Sequence, residues 1–248
     1  MNINSIKKIS DFFRNYGFVE IEKCIDEKEI EFLKNFVNNK YNENNNNYFF
    51  LAGDKFNQSF NDETLTVKKV EDLIKDVSVE LNLYDESQKP YKVLRVVDGK
   101  KSDSEANNYH FDAHHFTALI PIFIPNNPSG KNGDLMISSN LRGYSSNIMI
   151  NILEKILFQK ILKPFLKYEK FKKIFNFKKI ILKVGNIYLF NGYRSLHGNL
   201  NIEQGNLRAT LLIHYNDKFK NSKLVSLNRS FRQKRENQII NQNKKIKN

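Results

Sequence analysis

The residues of this chain whose types and spacing can do chemistry are His110, Asp112, His197 and Arg208. In Tyr109-His110-Phe111-Asp112, an extended strand projects residues i and i+2 to one side, so His110 and Asp112 can reach one ion together. A third ligand must come from elsewhere in the chain, and His197 is the candidate. Two imidazoles and one carboxylate occupy one face of an octahedral ion and leave the opposite positions open. Non-haem Fe(II) uses those positions to hold a cosubstrate and oxygen. Arg208 lies eleven residues past His197. Its planar fork of donors pairs bidentately with a carboxylate, and an arginine buried in a barrel needs such an anion. Thr210 shares the face of Arg208 on a strand and can add a hydroxyl hydrogen bond to that carboxylate.

Elements far apart in the chain must bring these side chains together, and the pattern from Tyr91 onward supplies them as strands divided by turn residues. Tyr91 to Val97 ends at Asp98-Gly99, and Phe116 to Ile124 ends at Pro125-Asn126-Asn127-Pro128. Gly133-Asp134 opens a short strand through Ser138, and Ile180 to Val184 ends at Gly185. Asn186 to Phe190 runs into Asn191-Gly192 and then to His197, and Leu207 to Tyr215 is the last strand. About eight strands at this spacing predict a mainly β fold, a double-stranded β-helix or jelly-roll core over about 91–215. The stretch from about 148 to 177 interrupts it. There an Ile/Leu/Phe stripe alternates with lysines at helical intervals, which predicts an amphipathic helical insertion packed on the sheet.

Before the strands come flanking helices. Ile6, Ile9, Phe12 and Phe13 recur at helical spacing up to Gly17, and Phe18-Val19-Glu20-Ile21 alternates like a strand. Asp26 three residues before Glu29 is a capping-box-like start for a helix whose stripe is Ile30, Leu33, Phe36 and Val37. Asn42 to Asn47 reads as an exposed loop, and another helix is expected between Val67 and Leu81. One domain over 1–225 followed by a basic tail over 226–248 is the expected organisation.

With these elements in place the sequence resembles the Fe(II)/2-oxoglutarate-dependent oxygenase superfamily. The resemblance rests on His110-x-Asp112, His197 and Arg208-x-Thr210, with Gly133-Asp134-Leu135 and Gly185-Asn186 followed by Phe190 and His197-Gly198 as support. It covers roughly 91–215. The turn Tyr16-Gly17-Phe18-Val19 and the eleven-residue step from His197 to Arg208 are similar to the phytanoyl-CoA dioxygenase-like branch. Asn186 departs from the pattern at a position where an acidic residue is common, but that position is not a ligand. The resemblance implies that His110, Asp112 and His197 bind Fe(II), and that Arg208, helped by Thr210, holds the distal carboxylate of 2-oxoglutarate. It further implies that O2 is consumed, that 2-oxoglutarate becomes succinate and CO2, and that an unactivated C–H bond is attacked. Halogenating relatives lack the carboxylate that Asp112 supplies, so hydroxylation is favoured.

The expected substrate is a small molecule or biosynthetic intermediate that can be anionic; the alternatives are a nucleic-acid- or protein-modifying oxygenase docking through the basic segments and a non-catalytic jelly-roll binding protein. Candidate residues toward it are Arg95, Tyr109, His114 and Tyr193, with Arg142 and Arg194 at the rim. For Arg95 a surface salt bridge weighs equally, and aromatics on barrel strands are more often plain core. His115 and His114 point to opposite faces, and His214 is expected to pack near the far end of its strand.

Net charge is +13, and 151–183 holds ten lysines against Glu154 and Glu169, while 218–248 holds ten basic residues against Glu236. Such segments attract nucleic acid, anionic lipid or phosphorylated groups. Lys, Asn and Ile enrichment throughout favours compositional drift over a selected polyanion site. Cys24 is the only cysteine, which excludes an intrachain disulfide and a cysteine-built zinc site. A reducing cytoplasm, no membrane span and a monomer or weak homodimer are the expectations.

Overall fold

A computed structural model describes residues 3–45, 47–60, 65–99, 106–145 and 147–222, so the basic tail over 226–248 lies outside the described residues. The strands are β1 (Phe18–Ile21), β2 (Phe49–Ala52), β3 (Tyr91–Asp98), β4 (His114–Phe123), β5 (Leu135–Ser138), β6 (Lys178–Ile180), β7 (Ile187–Asn191), β8 (Leu196–Asn199) and β9 (Leu207–Asp217). They form a six-stranded sheet in the order β1-β7-β4-β9-β3-β2 and a three-stranded sheet in the order β6-β5-β8. Every pairing is antiparallel. An isolated bridge between His110 and His197 extends the smaller sheet toward the segment before β4.

Strand parity decides what each side of the larger sheet can do, because successive side chains point to opposite faces. Phe116, Ala118 and Ile120 of β4, Ile187 and Leu189 of β7, and Ala209, Leu211 and Ile213 of β9 join one core. That core is shared with α1 (Ile3–Tyr16), α2 (Glu27–Glu43), α3 (Asp54–Ser59) and α4 (Leu65–Glu80). Along α4 the buried Val67, Val70, Leu73, Ile74 and Val77 recur at helical spacing, so one stripe covers the sheet. The opposite parity places Leu119, Tyr188 and Phe190 against Leu135 and Ile137 of the smaller sheet. Arg95, Thr117, Arg208, Thr210 and His214 share that inner parity, and this is how polar groups come to line the space between the sheets.

The amino-terminal expectations hold in detail: Asp26 caps α2 by accepting from the Glu29 N–H at 2.9 Å, and Gly17 ends α1. Three others need correction. Residues 42–47 are not simply an exposed loop, because α2 continues to Glu43 and Asn44 is buried, its amide donating to the Lys40 carbonyl. The strand expected at 180–184 lies instead at Lys178–Ile180, since the backbone beyond bonds the Tyr188 hydroxyl, to which the Lys183 N–H donates at 2.7 Å. His110 and Asp112 do not sit on a regular strand, and the bridge to His197 together with single backbone bonds from Asn107 to Asn199 and from Asp112 to Gly192 holds that segment. β2 and α3 carry no expectation from the sequence, because the asparagine run before them masks a short apolar segment, Phe49-Phe50-Leu51.

The interrupting stretch is helical, with α5 (Ile148–Ile156) running straight into a π turn at Leu157–Ile161, then a 3-10 turn at Phe165–Lys167 and α6 (Glu169–Ile174). Its inner side packs Phe158, Leu162, Leu166 and Phe175 on Tyr109, Phe111 and Met136. It therefore covers the segment carrying His110 and Asp112 as well as the smaller sheet.

Candidate metal centre

The bridge between His110 and His197 exchanges both backbone hydrogen bonds, at 2.9 and 3.0 Å, and sets the two imidazoles 4.5 Å apart between ring centroids. Each ring is fixed by its own backbone. His110 Nδ1 donates to the Asn108 carbonyl at 2.9 Å and His197 Nδ1 to the Ser195 carbonyl at 3.0 Å. A carbonyl can only accept, so each Nδ1 carries the proton and the lone pair sits on Nε2. Those Nε2 atoms lie 3.7 Å from Asp112 Oδ1 and 3.6 Å from Oδ2, respectively. Ligand atoms of all three residues fall within 4.8 Å of one another. Outer hydrogen bonds that fix tautomer and ring orientation are what a metal-ligating histidine needs.

Asp112 is held from behind. Its backbone N–H donates to the Gly192 carbonyl at 2.9 Å, and the Thr117 hydroxyl donates to Oδ2 at 2.6 Å. The Thr117 oxygen then accepts from His214 Nδ1 at 3.0 Å, and that nitrogen lies 3.7 Å from the same carboxylate oxygen. His214 thus belongs to this centre rather than to a remote end of β9. The register pairs it with Thr117, whose side chain reaches Asp112. Burial pushes the Asp112 carboxyl upward, but His197, His214, His110 and the Thr117 hydroxyl outweigh it and hold the group well below the ordinary carboxylate range. Gly192 makes the fit possible. A Cβ there would lie 2.5 Å from both Asp112 Oδ2 and Thr117 Oγ1.

Two residues along the inner face of β8, roughly 7 Å by strand geometry, Asn199 accepts from Arg208 Nη2 at 2.9 Å. Arg208 is only 2% exposed, and its Nε–H has no hydrogen-bond partner. Burial and the neighbouring Arg95 push its pKa down to about 9, with Asp134 opposing them. Arg95, Asn199 and Arg208 line one small cleft. Thr210 lies opposite Arg95 in the β3–β9 register and is buried. A buried guanidinium with an unfilled donor beside a second cation is a site for an anion. Gly133 gives Arg208 its room, since a Cβ there would meet the arginine Cδ at 2.5 Å.

The other predicted residues are distributed differently. Arg95 belongs to the Arg208 cleft. Tyr109 is enclosed against Phe177 and its hydroxyl donates to Asn107 Oδ1 at 3.2 Å. Tyr193 is fully buried and donates to the Ser145 carbonyl, while Arg142 stacks 4.1 Å over its ring. His114 stacks on both Tyr91 and His214, which also meet each other. His115 is buried with both ring nitrogens unpartnered, and burial, Lys218 and Arg194 push its pKa down to about 4. Arg142 is tied to the insertion, donating to Asn151 Oδ1 at 2.9 Å and Glu154 Oε2 at 2.6 Å. Asn186 ties the start of β7 to β1, accepting from the Lys23 N–H and donating to Glu20. Thr117 and Asn199 were missed by sequence reasoning. Both are readable by parity, the one on a strand leaving the ligand segment and the other two residues past a ligand.

No family model matches the chain, and no curated protein matches it by sequence. Solved structures do match. A prolyl 4-hydroxylase of Phytophthora capsici superposes with a TM-score of 0.57 at 15% identity over 89% of this chain, which spans 65% of that one. The epimerase SnoN in complex with Fe3+, alpha ketoglutarate and nogalamycin RO matches with a TM-score of 0.53 at 12% identity, covering 87% of this chain and 85% of that one. A prolyl hydroxylase in complex with a hypoxia inducible factor peptide fragment from Trichoplax adhaerens matches with a TM-score of 0.53 at 11% identity, covering 87% and 92%. The chain thus has the double-stranded β-helix fold of Fe(II)/2-oxoglutarate-dependent oxygenases, with a candidate His-Asp-His metal site inside it.

Proposed function

We propose that this protein is an Fe(II)- and 2-oxoglutarate-dependent dioxygenase that hydroxylates a small molecule or biosynthetic intermediate. One observation carries the reading: two imidazole lone pairs converge on one carboxylate, while Arg208 waits beside them with a buried unfilled donor. His110, Asp112 and His197 would hold the iron, and Arg208, with Thr210 and Arg95 nearby, would hold the far carboxylate of 2-oxoglutarate. Bound there, iron supplies oxygen activation coupled to decarboxylation of 2-oxoglutarate to succinate and CO2. The chain's own part is to orient and to exclude water. Nδ1–H bonds lock both imidazoles, Thr117 and His214 brace Asp112, and the aromatic seam of Phe111, Phe158 and Phe175 closes one side of the mouth. Asp112 in the ligand set favours hydroxylation, since it occupies the place a halide would need. Enclosure of Tyr109 and Tyr193 leaves them to shape the mouth from behind, whereas His114 is a candidate for touching substrate.

Anaerobic addition of Fe(II) and 2-oxoglutarate tests the reading. A visible metal-to-ligand charge-transfer band is expected in the wild type and is absent in His110→Ala. Succinate release in air then separates an oxygenase from a jelly roll that only binds. A wild-type protein that binds iron but shows neither band nor succinate refutes the proposal.

A further inference from the structure

The helical rod of α5 and the π turn after it is apolar on two sides, and packing uses only one. Inside, Asn151 and Glu154 accept from Arg142, while Phe158 meets Phe111 edge-on at 5.4 Å and Leu162 joins the same cluster. Outside, Met149, Leu153, Ile156, Leu157, Ile161 and Phe165 are each 40–61% exposed. From Met149 to Ile161 the steps of four, three, one and four residues place them along one helical stripe, and Phe165 follows on the 3-10 turn. Single exposed apolar residues are ordinary, but a contiguous run of large ones on one element marks an interaction surface.

Lysines border the stripe. Lys160, Lys170 and Lys173 are exposed on the rod and on α6, within a segment, 151–183, that carries ten lysines against two glutamates. A second copy of the chain would bring the same positive rim against this one, and like charges would oppose the contact. An apolar stripe bordered by ammonium groups instead matches the boundary of a bilayer, where acyl chains lie beneath negative headgroups. None of the described helices is long and apolar enough to cross a membrane, so the contact is with its surface.

We propose that the outer face of this rod docks the protein on an anionic lipid surface, with Leu153, Ile156 and Ile161 entering the acyl boundary and the bordering lysines meeting the headgroups. Because the inner face of the same rod packs on Phe111, docking holds the mouth of the metal centre next to the lipid interface. The inference does not depend on what reaction the metal centre performs.

Co-sedimentation of the full chain with vesicles tests it. Vesicles of phosphatidylcholine with about one third phosphatidylserine are expected to bind at least tenfold more tightly than phosphatidylcholine alone. Leu153→Glu with Ile156→Glu abolishes that binding while leaving the thermal melt and the anaerobic iron band unchanged. Should the double change impair folding, Leu153→Ser with Ile161→Ser is the milder form of the same test. Lys160→Glu, Lys170→Glu and Lys173→Glu together reduce affinity about tenfold. Equal binding to neutral and anionic vesicles overturns the proposal, as does binding that survives the stripe variants, which would place it on the basic tail. A concentration-dependent dimer dissolved by the stripe variants, with no vesicle affinity, overturns it in favour of a second copy.

Discussion

The inner face of β8 carries two chemically opposite ends. At His197, three imidazoles and a hydroxyl surround one carboxylate, and two of the imidazoles turn Nε2 lone pairs rather than N–H groups toward it. At Asn199, a buried guanidinium has one amide oxygen for company, an unfilled Nε–H and a second arginine nearby. The first end is complete as a set of lone pairs and asks only for a cation. The second is incomplete as a set of donors and asks for an anion. A ligand that chelates through one end and carries a carboxylate at the other is what joins them, and 2-oxoglutarate has that form. Under the proposed function, preorganisation is spent on the metal side, and the cosubstrate itself would complete the other side.

The sharpest way to break this comparison is to disable each end alone. His197→Ala is expected to remove iron binding and the charge-transfer band together, because His110 alone would then turn an Nε2 lone pair toward Asp112, the His214 Nδ1 proton being given to Thr117. Arg208→Ala is expected to leave iron affinity unchanged while raising the 2-oxoglutarate requirement. Loss of a buried charge-assisted pair costs about 2 to 5 kcal/mol, or roughly 30-fold to several thousand-fold. Isothermal titration of Fe(II), then of 2-oxoglutarate followed by the band, measures both. If Arg208→Ala leaves the cosubstrate requirement unchanged, the anchor lies elsewhere.

A pair of glycines divides the ends more gently. Gly192→Ala drives a Cβ to 2.5 Å from Asp112 Oδ2 and Thr117 Oγ1, so the carboxylate must shift and iron affinity should fall about 10- to 100-fold. Gly133→Ala drives a Cβ to 2.5 Å from Arg208 Cδ at a φ of +73°, a conformation that a side chain strains to adopt. Its expected effect is a 2-oxoglutarate affinity weaker by about tenfold with iron affinity intact. Crossed results, with Gly133→Ala weakening iron instead, would show that the ends are not separable.

Much of this division was legible in the sequence, for physical reasons that differ by residue. His110, Asp112, His197 and Arg208 stood out because few residue types can serve their roles, and strand parity then placed Thr210 with Arg208. The two-sheet fold followed from turn residues at regular spacing. What escaped was whatever depends on register between distant strands. His214 looked remote along β9, yet pairing with β4 sets it opposite Thr117 and so beside Asp112. Asn199 and Thr117 are ordinary residue types whose importance comes only from their neighbours. Arg95 faced inward by parity, but its place in the Arg208 cleft required the β3–β9 pairing. The exposed stripe of the insertion was visible as amphipathic, while its second apolar side became evident only when packing had used the first.

The smallest expected effect examines whether the metal end owes its readiness to bracing as well as to ligands. Thr117 donates to Asp112 Oδ2 at 2.6 Å and accepts from His214 Nδ1 at 3.0 Å, linking a ligand to a residue that does not face the other two imidazoles. Thr117→Val keeps the shape and removes both bonds. His214 Nδ1–H would still find Asp112 Oδ2, 3.7 Å away, with a small rotation, so part of the loss is recovered. Stability should fall by about 1 kcal/mol, the net worth of a hydrogen bond. Iron affinity should fall about tenfold, at the lower end for an outer-shell partner. The 2-oxoglutarate requirement at saturating iron should stay unchanged, because the hydroxyl lies at the other end from Arg208. A Thr117→Val protein that binds iron as tightly as the wild type would mean that the imidazoles alone hold Asp112, and the bracing would then be only a packing contact.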